Sequence, residues 1–541
     1  MEYQVQVKMA QTSKNRASKQ AYISVHQPLL DGFDTPFAKQ LNASNRWVLL
    51  ANKIPWDELV SVYRQQMGNH KTGAEGINPR VVIGSLIIKH MCDLSDRETV
   101  QQIQENMYMQ YFIGYNSFSD EVPFDASLFV LLRNRLGVDQ INIINEKILG
   151  LSIQKNNQPK GKPDNLPSDE NASPQEKIQT TTSAAEPSQP SPTHQGKMII
   201  DATACPQDIR YPTDLHLLND AREKTEELID FLHIPWMVIK KPRTYRQKAR
   251  TIFLKTAQKK TRSKKEIRQA IRKQLGYVRR NLKNINRLLD HYETIPFNDR
   301  QHTYFFVVQT LYDQQKQMYQ QKVHSVEHRI VSIHQPHVRP IVRGKTNANV
   351  EFGAKIQVSL MNGFAFLEDL SWDAFNEGAR LIKAVEQYKK RFGYYPAEVL
   401  ADKIYCSRVN RAQLKELNIT LKAKPLGRPR AVAENHVSPG ERNPIEGKFG
   451  QAKSAYGLNR IKARLRSTSE SWIATIIMVL NLVKLTGQVP YCLLLRYRSY
   501  SAAYAKKLKS VITSIGAWME NDRKNNPNQN LIFLTYSADP I

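Results

Sequence analysis

Two short apolar runs in this chain each end on an aspartate, and that repeated pattern limits the fold more than any other feature. The first, Met198 to Asp201, continues through Ala202, Thr203, Ala204 and Cys205 and breaks at Pro206, so it reads as a buried strand that delivers one carboxylate to its end. The second, Pro396 to Asp402, repeats the pattern ahead of a helix from Ser407 to Leu417. Open α/β sheets present ligand-binding groups at strand ends. The two aspartates are therefore candidates for one site. A third element carries an acid of its own: between Glu441 and Ala455, Arg442 and Glu446 are four residues apart and Glu446 and Lys453 seven apart, which puts all three on one helical face.

The remaining patterns place these elements in an order. Asn362-Gly363 between Phe352–Met361 and Phe364–Leu370 is a two-residue hairpin signal. A helix is expected over Asp373 to Arg391, a strand over Glu398 to Asp402, a short strand over Ile419 to Ala423 and a helix over Glu441 to Ala455. Upstream, residues 1–154 read as helical: Pro79 to Met91 is a core helix, Ser95 to Glu98 is a capping box, and Asp125 caps a helix that stops at Gly137. This helical unit suits either DNA-end recognition or packing and dimerisation. Residues 155–197 are rich in Pro, Ser, Thr and Asn and read as a disordered linker. The catalytic unit is expected over 198–490, with a helical insertion at about 225–326, and residues 491–541 form a C-terminal extension.

Charge narrows the partner. The 541 residues carry 78 Lys and Arg against 50 Asp and Glu, a formal net charge of +28, which favours a polyanion. The excess concentrates between Lys240 and Arg287, where 19 basic residues face a single acid, Glu266. Ser263 to Glu266 is a capping box, and Ile267, Ile271, Leu275, Val278, Leu282 and Ile285 mark one apolar face of the helix it opens. The cations, among them Lys259, Lys260, Arg262, Lys264 and Lys265, then fall on the opposite face, a single-sign surface suited to phosphates. The four cysteines are widely spaced and suggest neither a zinc site nor disulfides. No signal-peptide pattern opens the chain, and the most apolar helix, Trp472 to Leu485, reads as too short to cross a bilayer, so a cytoplasmic protein without a membrane partner is expected.

From about residue 70 to 490 the chain resembles the bacterial insertion-sequence DDE transposases whose N-terminal domain is of the InsH type. The matching stretches are Ile200 to Ala204, Tyr211 to Leu215, Ile341 to Lys345, Glu351 to Lys355, Ala401 to Tyr405, and the Arg442-x3-Glu446-x6-Lys453 spacing. The wider superfamily has Tyr three residues before the Arg, where this chain has Pro439. The resemblance implies an α/β fold with an RNase H-like core, Asp201, Asp402 and Glu446 as catalytic metal ligands, and Arg442 and Lys453 as phosphate contacts. Mg²⁺ is the implied cofactor, with Mn²⁺ able to substitute. Two divalent cations about 4 Å apart can stabilise both the entering and leaving oxygens of an in-line displacement. The implied reaction is cleavage at the terminal inverted repeats and strand transfer into target DNA, carried out by a homo-oligomer on double-stranded DNA. A transposase-derived DNA-binding protein without activity and a general RNase H-like nuclease are the alternatives.

Overall fold

The computed structural model describes residues 37, 41–65, 77–156, 194–235, 240–345, 348–423 and 439–487. Most of the expected linker and the whole C-terminal extension lie outside the described residues.

Among the described residues seven helices come first: α1 (Arg46–Lys53), α2 (Trp56–Gln65), α3 (Pro79–Met91), α4 (Asp96–Glu105), α5 (Met107–Phe112), α6 (Leu128–Arg135) and α7 (Val138–Asn156). The Ser95–Glu98 capping box that opens α4 is formed. Asp125 instead accepts from the Ser127 amide in a turn, and α6 begins only at Leu128. Next come strand β1 (Lys197–Pro206) and four helices, α8 (Asp214–Leu232), α9 (Arg246–Ala257), α10 (Lys264–Leu289) and α11 (Asp299–Gln321). The chain then forms β2 (Arg339–Lys345), β3 (Ala348–Met361), β4 (Phe364–Ser371), α12 (Leu381–Phe392), β5 (Glu398–Leu400), α13 (Arg408–Glu416), β6 (Thr420–Lys422), α14 (Pro439–Ala455) and α15 (Arg466–Thr486).

These strands make one mixed sheet. β3 pairs antiparallel with β1 along one edge; along its other edge β2 takes the first half and β4 the second. β1 pairs parallel with β5, and β5 parallel with β6. The β3–β4 turn has Asn362 and Gly363 at φ of 50° and 76°, the left-handed pair that a two-residue hairpin requires. Gly353 is forced by close approach, since a Cβ there would sit 2.0 Å from the Cys205 carbonyl oxygen.

β1 is buried on both faces apart from Lys197, Ile199, Asp201 and Pro206, which explains its nearly continuous apolar sequence. On one face Met198, Ile200 and Met361 pack against Leu381, Val385 and Tyr388 of α12 and Leu414 of α13. Each fully buried aliphatic side chain there stabilises the fold by about 1.5–3 kcal/mol. The expected helix at Asp373 begins instead at Leu381, after a 3₁₀ turn at Gly378–Arg380, ahead of which the Asn376 side chain accepts from the Gly378 amide.

The last helix corrects the sequence reading. α15 runs for 21 residues, long enough to cross a membrane, yet Thr468 to Val483 are buried inside the protein with the single exception of Glu470. Asn481, which reads as an interruption of its apolar run, pairs with both backbone groups of Ala365 on β4 at 2.7 Å and donates to Asn145 of α7 at 2.9 Å. A side-chain amide thus satisfies a strand that, among the described residues, has no neighbouring strand on that side.

An ionic cluster ties α15 to the first helices. Asp96 accepts two 2.9 Å hydrogen bonds from Arg133 and lies 2.9 Å from Lys89, and both cations are almost fully buried. Lys89 and Arg133 stand over the Trp472 ring at 4.7 and 5.4 Å, and buried His90 meets the same ring edge-on. Burial alone would raise the Asp96 pKa, but the Arg133 hydrogen bonds and the Lys89 charge outweigh it and bring it down to about 2.

Candidate active site

Parallel register brings the two aspartates together, although Asp201 lies in the middle of β1, which runs on to Pro206, rather than at its end as the sequence suggests. Ile199 is paired with Leu400, so Asp201 and Asp402 each stand two residues beyond matched positions on adjacent strands. β5 ends at Leu400, and Asp402 opens a 3₁₀ turn at Lys403–Tyr405, leaving both carboxylates at a gap in the sheet.

Helix α14 closes this gap from one side with a single guanidinium. Arg442 donates from Nη1 to Asp402 Oδ1 at 3.1 Å and from Nη2 to Asp201 Oδ2 at 3.2 Å, and Nη2 lies 3.8 Å from Glu446 Oε1. The three expected acids therefore surround one positive group. Asp201 is 17% exposed and Arg442 18%, whereas Asp402 is 50% and Glu446 63%, so the cluster has a closed floor and an open rim. Burial pushes the Asp201 carboxyl above the usual carboxylate range. The Ala202 amide and Arg442 pull it back, and the charges of Glu377 and Asp402 add to the rise.

Arg442 thus faces the carboxylates here rather than open solvent, a position that spacing alone does not reveal. Lys453 is half-buried two turns further along α14, about 10 Å of helix rise from Glu446. Glu377 is an acid the sequence reading passed over; it precedes α12 and pairs with Lys355 at 2.8 Å. Its one sequence clue is Lys355 itself, the last residue of the Glu351 to Lys355 stretch. The Tyr405 phenol, which accepts from Gln357 at 3.3 Å beneath the site, is kept protonated by burial.

The predicted cationic face forms on the insertion, away from the sheet. Along α10 the residues Ile267, Ile271, Leu275, Val278, Leu282 and Ile285 all turn inward, while Arg268, Arg272, Lys273, Arg279, Arg280, Lys283 and Arg287 are exposed. Lys259, Lys260, Arg262, Lys264 and Lys265 are exposed at the junction of α9 and α10. Two of these five are engaged within the fold: Lys259 pairs with Glu266, and Arg262 donates to the carbonyls of Lys259 and Ala257.

Comparison with known proteins finds transposase domains in two parts of the chain. The family model described as Transposase DDE domain matches residues 399–483, which include Asp402, Arg442, Glu446 and Lys453, and the model described as Transposase domain (DUF772) matches residues 36–135. An uncharacterized protein of Rhizobium meliloti, ORF8 in the nfe locus, is 29% identical over 180 residues, 33% of this chain and 69% of that protein. No solved structure matches the chain. Transposase domain models thus match two separate parts of the chain, and together these likenesses support an insertion-sequence transposase.

Proposed function

We propose that the protein cuts the ends of its element and joins them to target DNA in a divalent-cation-dependent reaction, with Asp201, Asp402 and Glu446 as the catalytic carboxylates. The observation that carries this reading is the shared Arg442 guanidinium, which gathers three acids from positions 201, 402 and 446. The strand order also supports an RNase H-like core: three antiparallel pairings on one side of β1 and two parallel pairings on the other.

As placed, no three His, Cys, Asp or Glu side chains among the described residues converge closely enough to hold a metal, because Arg442 stands between the acids. The donor set itself fits Mg²⁺, since all three groups offer hard carboxylate oxygens and none is a thiolate or imidazole. When bound there, the cation stabilises charge on the entering and leaving oxygens of the phosphodiester. The chain's own residues supply the rest. Asp201 is fixed by the β1 register and the Ala202 amide, Asp402 and Glu446 form the accessible rim, and Lys453 holds a flanking phosphate.

The helical N-terminal region takes part in end recognition or in assembling a homo-oligomer on DNA, and the α9–α10 face supplies sequence-independent grip. Replacing Lys259, Lys260, Arg262, Lys264 and Lys265 by Gln weakens all duplexes alike. Because Lys259 and Arg262 are engaged within the fold, the slope of log affinity against log salt falls by about 2–3 rather than by about 4–5, at roughly 0.9 per phosphate contact. Fluorescence-anisotropy titrations across a salt series check this; an unchanged slope rules out contact with DNA at this junction.

The whole activity is tested by incubating the protein with Mg²⁺, end-labelled duplexes carrying the element's inverted repeats, and a supercoiled plasmid. Labelled ends covalently joined to plasmid are expected. Cutting without joining contradicts transposition and favours a nuclease.

A further inference from the structure

Arg442 occupies the position that makes the three acids a group. Its Nη2 serves Asp201 and Glu446 together while Nη1 serves Asp402, at N···O distances between 3.1 and 3.8 Å. A divalent cation bound to these oxygens would need them at about 2.0–2.2 Å, far too close for a guanidinium to remain in the same space. Two positive groups drawing on the same oxygens would also repel each other at short range. We propose that Arg442 and the catalytic cation are alternative occupants of one carboxylate cage, so that loading the cation releases Arg442, and the released guanidinium takes up a phosphate of the DNA. This rests on the assignment of the three acids as cation ligands.

Three features of the site favour such an exchange. Arg442 is held almost wholly by the carboxylates: its Nε is buried without a hydrogen-bond partner, so no bond from Nε retains the side chain once those contacts are lost. Without a positive group between them, Asp201 and Asp402 would repel, and Glu377 adds a further negative charge beside Asp201. Lys355 does not serve instead, because it is engaged with Glu377 at 2.8 Å and with the Phe375 carbonyl at 2.9 Å. Arg442 therefore keeps the acids assembled until a cation replaces it. Arg442 and Glu446 are also one helical turn apart, so a released Arg442 lies beside the exposed Glu446 at the open side of the cluster.

The exchange makes cation and DNA binding mutually reinforcing, and linkage requires the coupling to run both ways. Isothermal calorimetry with Mn²⁺ on the full chain tests the first half, comparing wild type, Arg442→Gln and Arg442→Lys, each alone and combined with Asp201→Asn. Removing the competing guanidinium is expected to tighten Mn²⁺ binding about tenfold in Arg442→Gln. Arg442→Lys, which cannot span both aspartates, is expected to shift in the same direction and serves if the Gln variant fails to fold. Mn²⁺ affinity equal to or weaker than wild type in the folded Arg442 variants, with Asp201→Asn losing it, overturns the exchange alone. Affinity unchanged by Asp201→Asn overturns the ligand assignment and the exchange with it. For the second half, Ca²⁺ is expected to strengthen wild-type binding to a 40-base-pair duplex about fivefold and that of Arg442→Gln much less. Equal strengthening in both would show that Arg442 is not handed to DNA.

Discussion

Asp201→Asn, Asp402→Asn and Glu446→Gln each lower end cleavage in Mg²⁺ by about a thousandfold or more, while duplex affinity stays within a few-fold of wild type. Each substitution keeps the side-chain volume and removes one negative charge from the cage around Arg442. The loss therefore falls on stabilising charge on the entering and leaving oxygens, and the exposed cationic surface of α10, proposed to contact the DNA backbone, is untouched. Asp201 and Asp402 fail through the pair that the β1–β5 register creates, and Glu446 through the exposed rim. Cleavage rates and anisotropy on the same preparations decide the matter residue by residue. Wild-type turnover in any one variant removes that residue from the site, whereas Lys453→Ala is expected to weaken hold on the cut end and leave Mn²⁺ affinity intact.

Asp96→Ala destabilises the protein by about 3–5 kcal/mol, the usual consequence of leaving buried cations without their counter-charge. Here there are two, Lys89 and Arg133, both almost fully buried against Trp472, so neither recovers its hydration when the carboxylate is lost. Urea unfolding followed by tryptophan fluorescence reads the change, and a loss under about 1 kcal/mol would show that water reaches the cluster. The pH dependence has a definite sign. Asp96 is held near 2 in the folded protein against an ordinary value of 3.8, so its contribution is fully present above pH 3.8 and is lost as pH falls towards 2. Wild-type stability drops through that window, and the Asp96→Ala variant loses the component due to this residue.

What the sequence revealed and what it hid follow from the range of the interactions involved. The Ser95 and Ser263 capping boxes and the Asn362-Gly363 turn were legible because their chemistry is complete within four residues. The Arg442–Glu446 face was legible for the same reason, being helix periodicity. The partners of Arg442 were not, since they lie 40 and 241 residues away and depend on how β1 and β5 are registered. Lys89 and His90 looked like the end of an apolar helix, and only the packing of α3 on α15 shows them buried beside Asp96, Arg133 and Trp472. β2 escaped notice because Pro340 and Gly344 disfavour a strand; it pairs with β3 along one edge alone, where a proline is tolerated. α15 was read as beginning six residues too late, because its first turn is polar and lacks a side-chain cap.

The cage itself is tested most directly by locating a bound cation on the chain. Fe²⁺ substituted for Mg²⁺, with ascorbate and peroxide added, generates radicals that cut the backbone beside the ion. Fragments ending near residues 201, 402 and 446 are expected together, competed away by excess Mg²⁺ and absent from Asp201→Asn. Cuts elsewhere, or cuts at these positions that persist in Asp201→Asn, would contradict a cation site built from these three carboxylates.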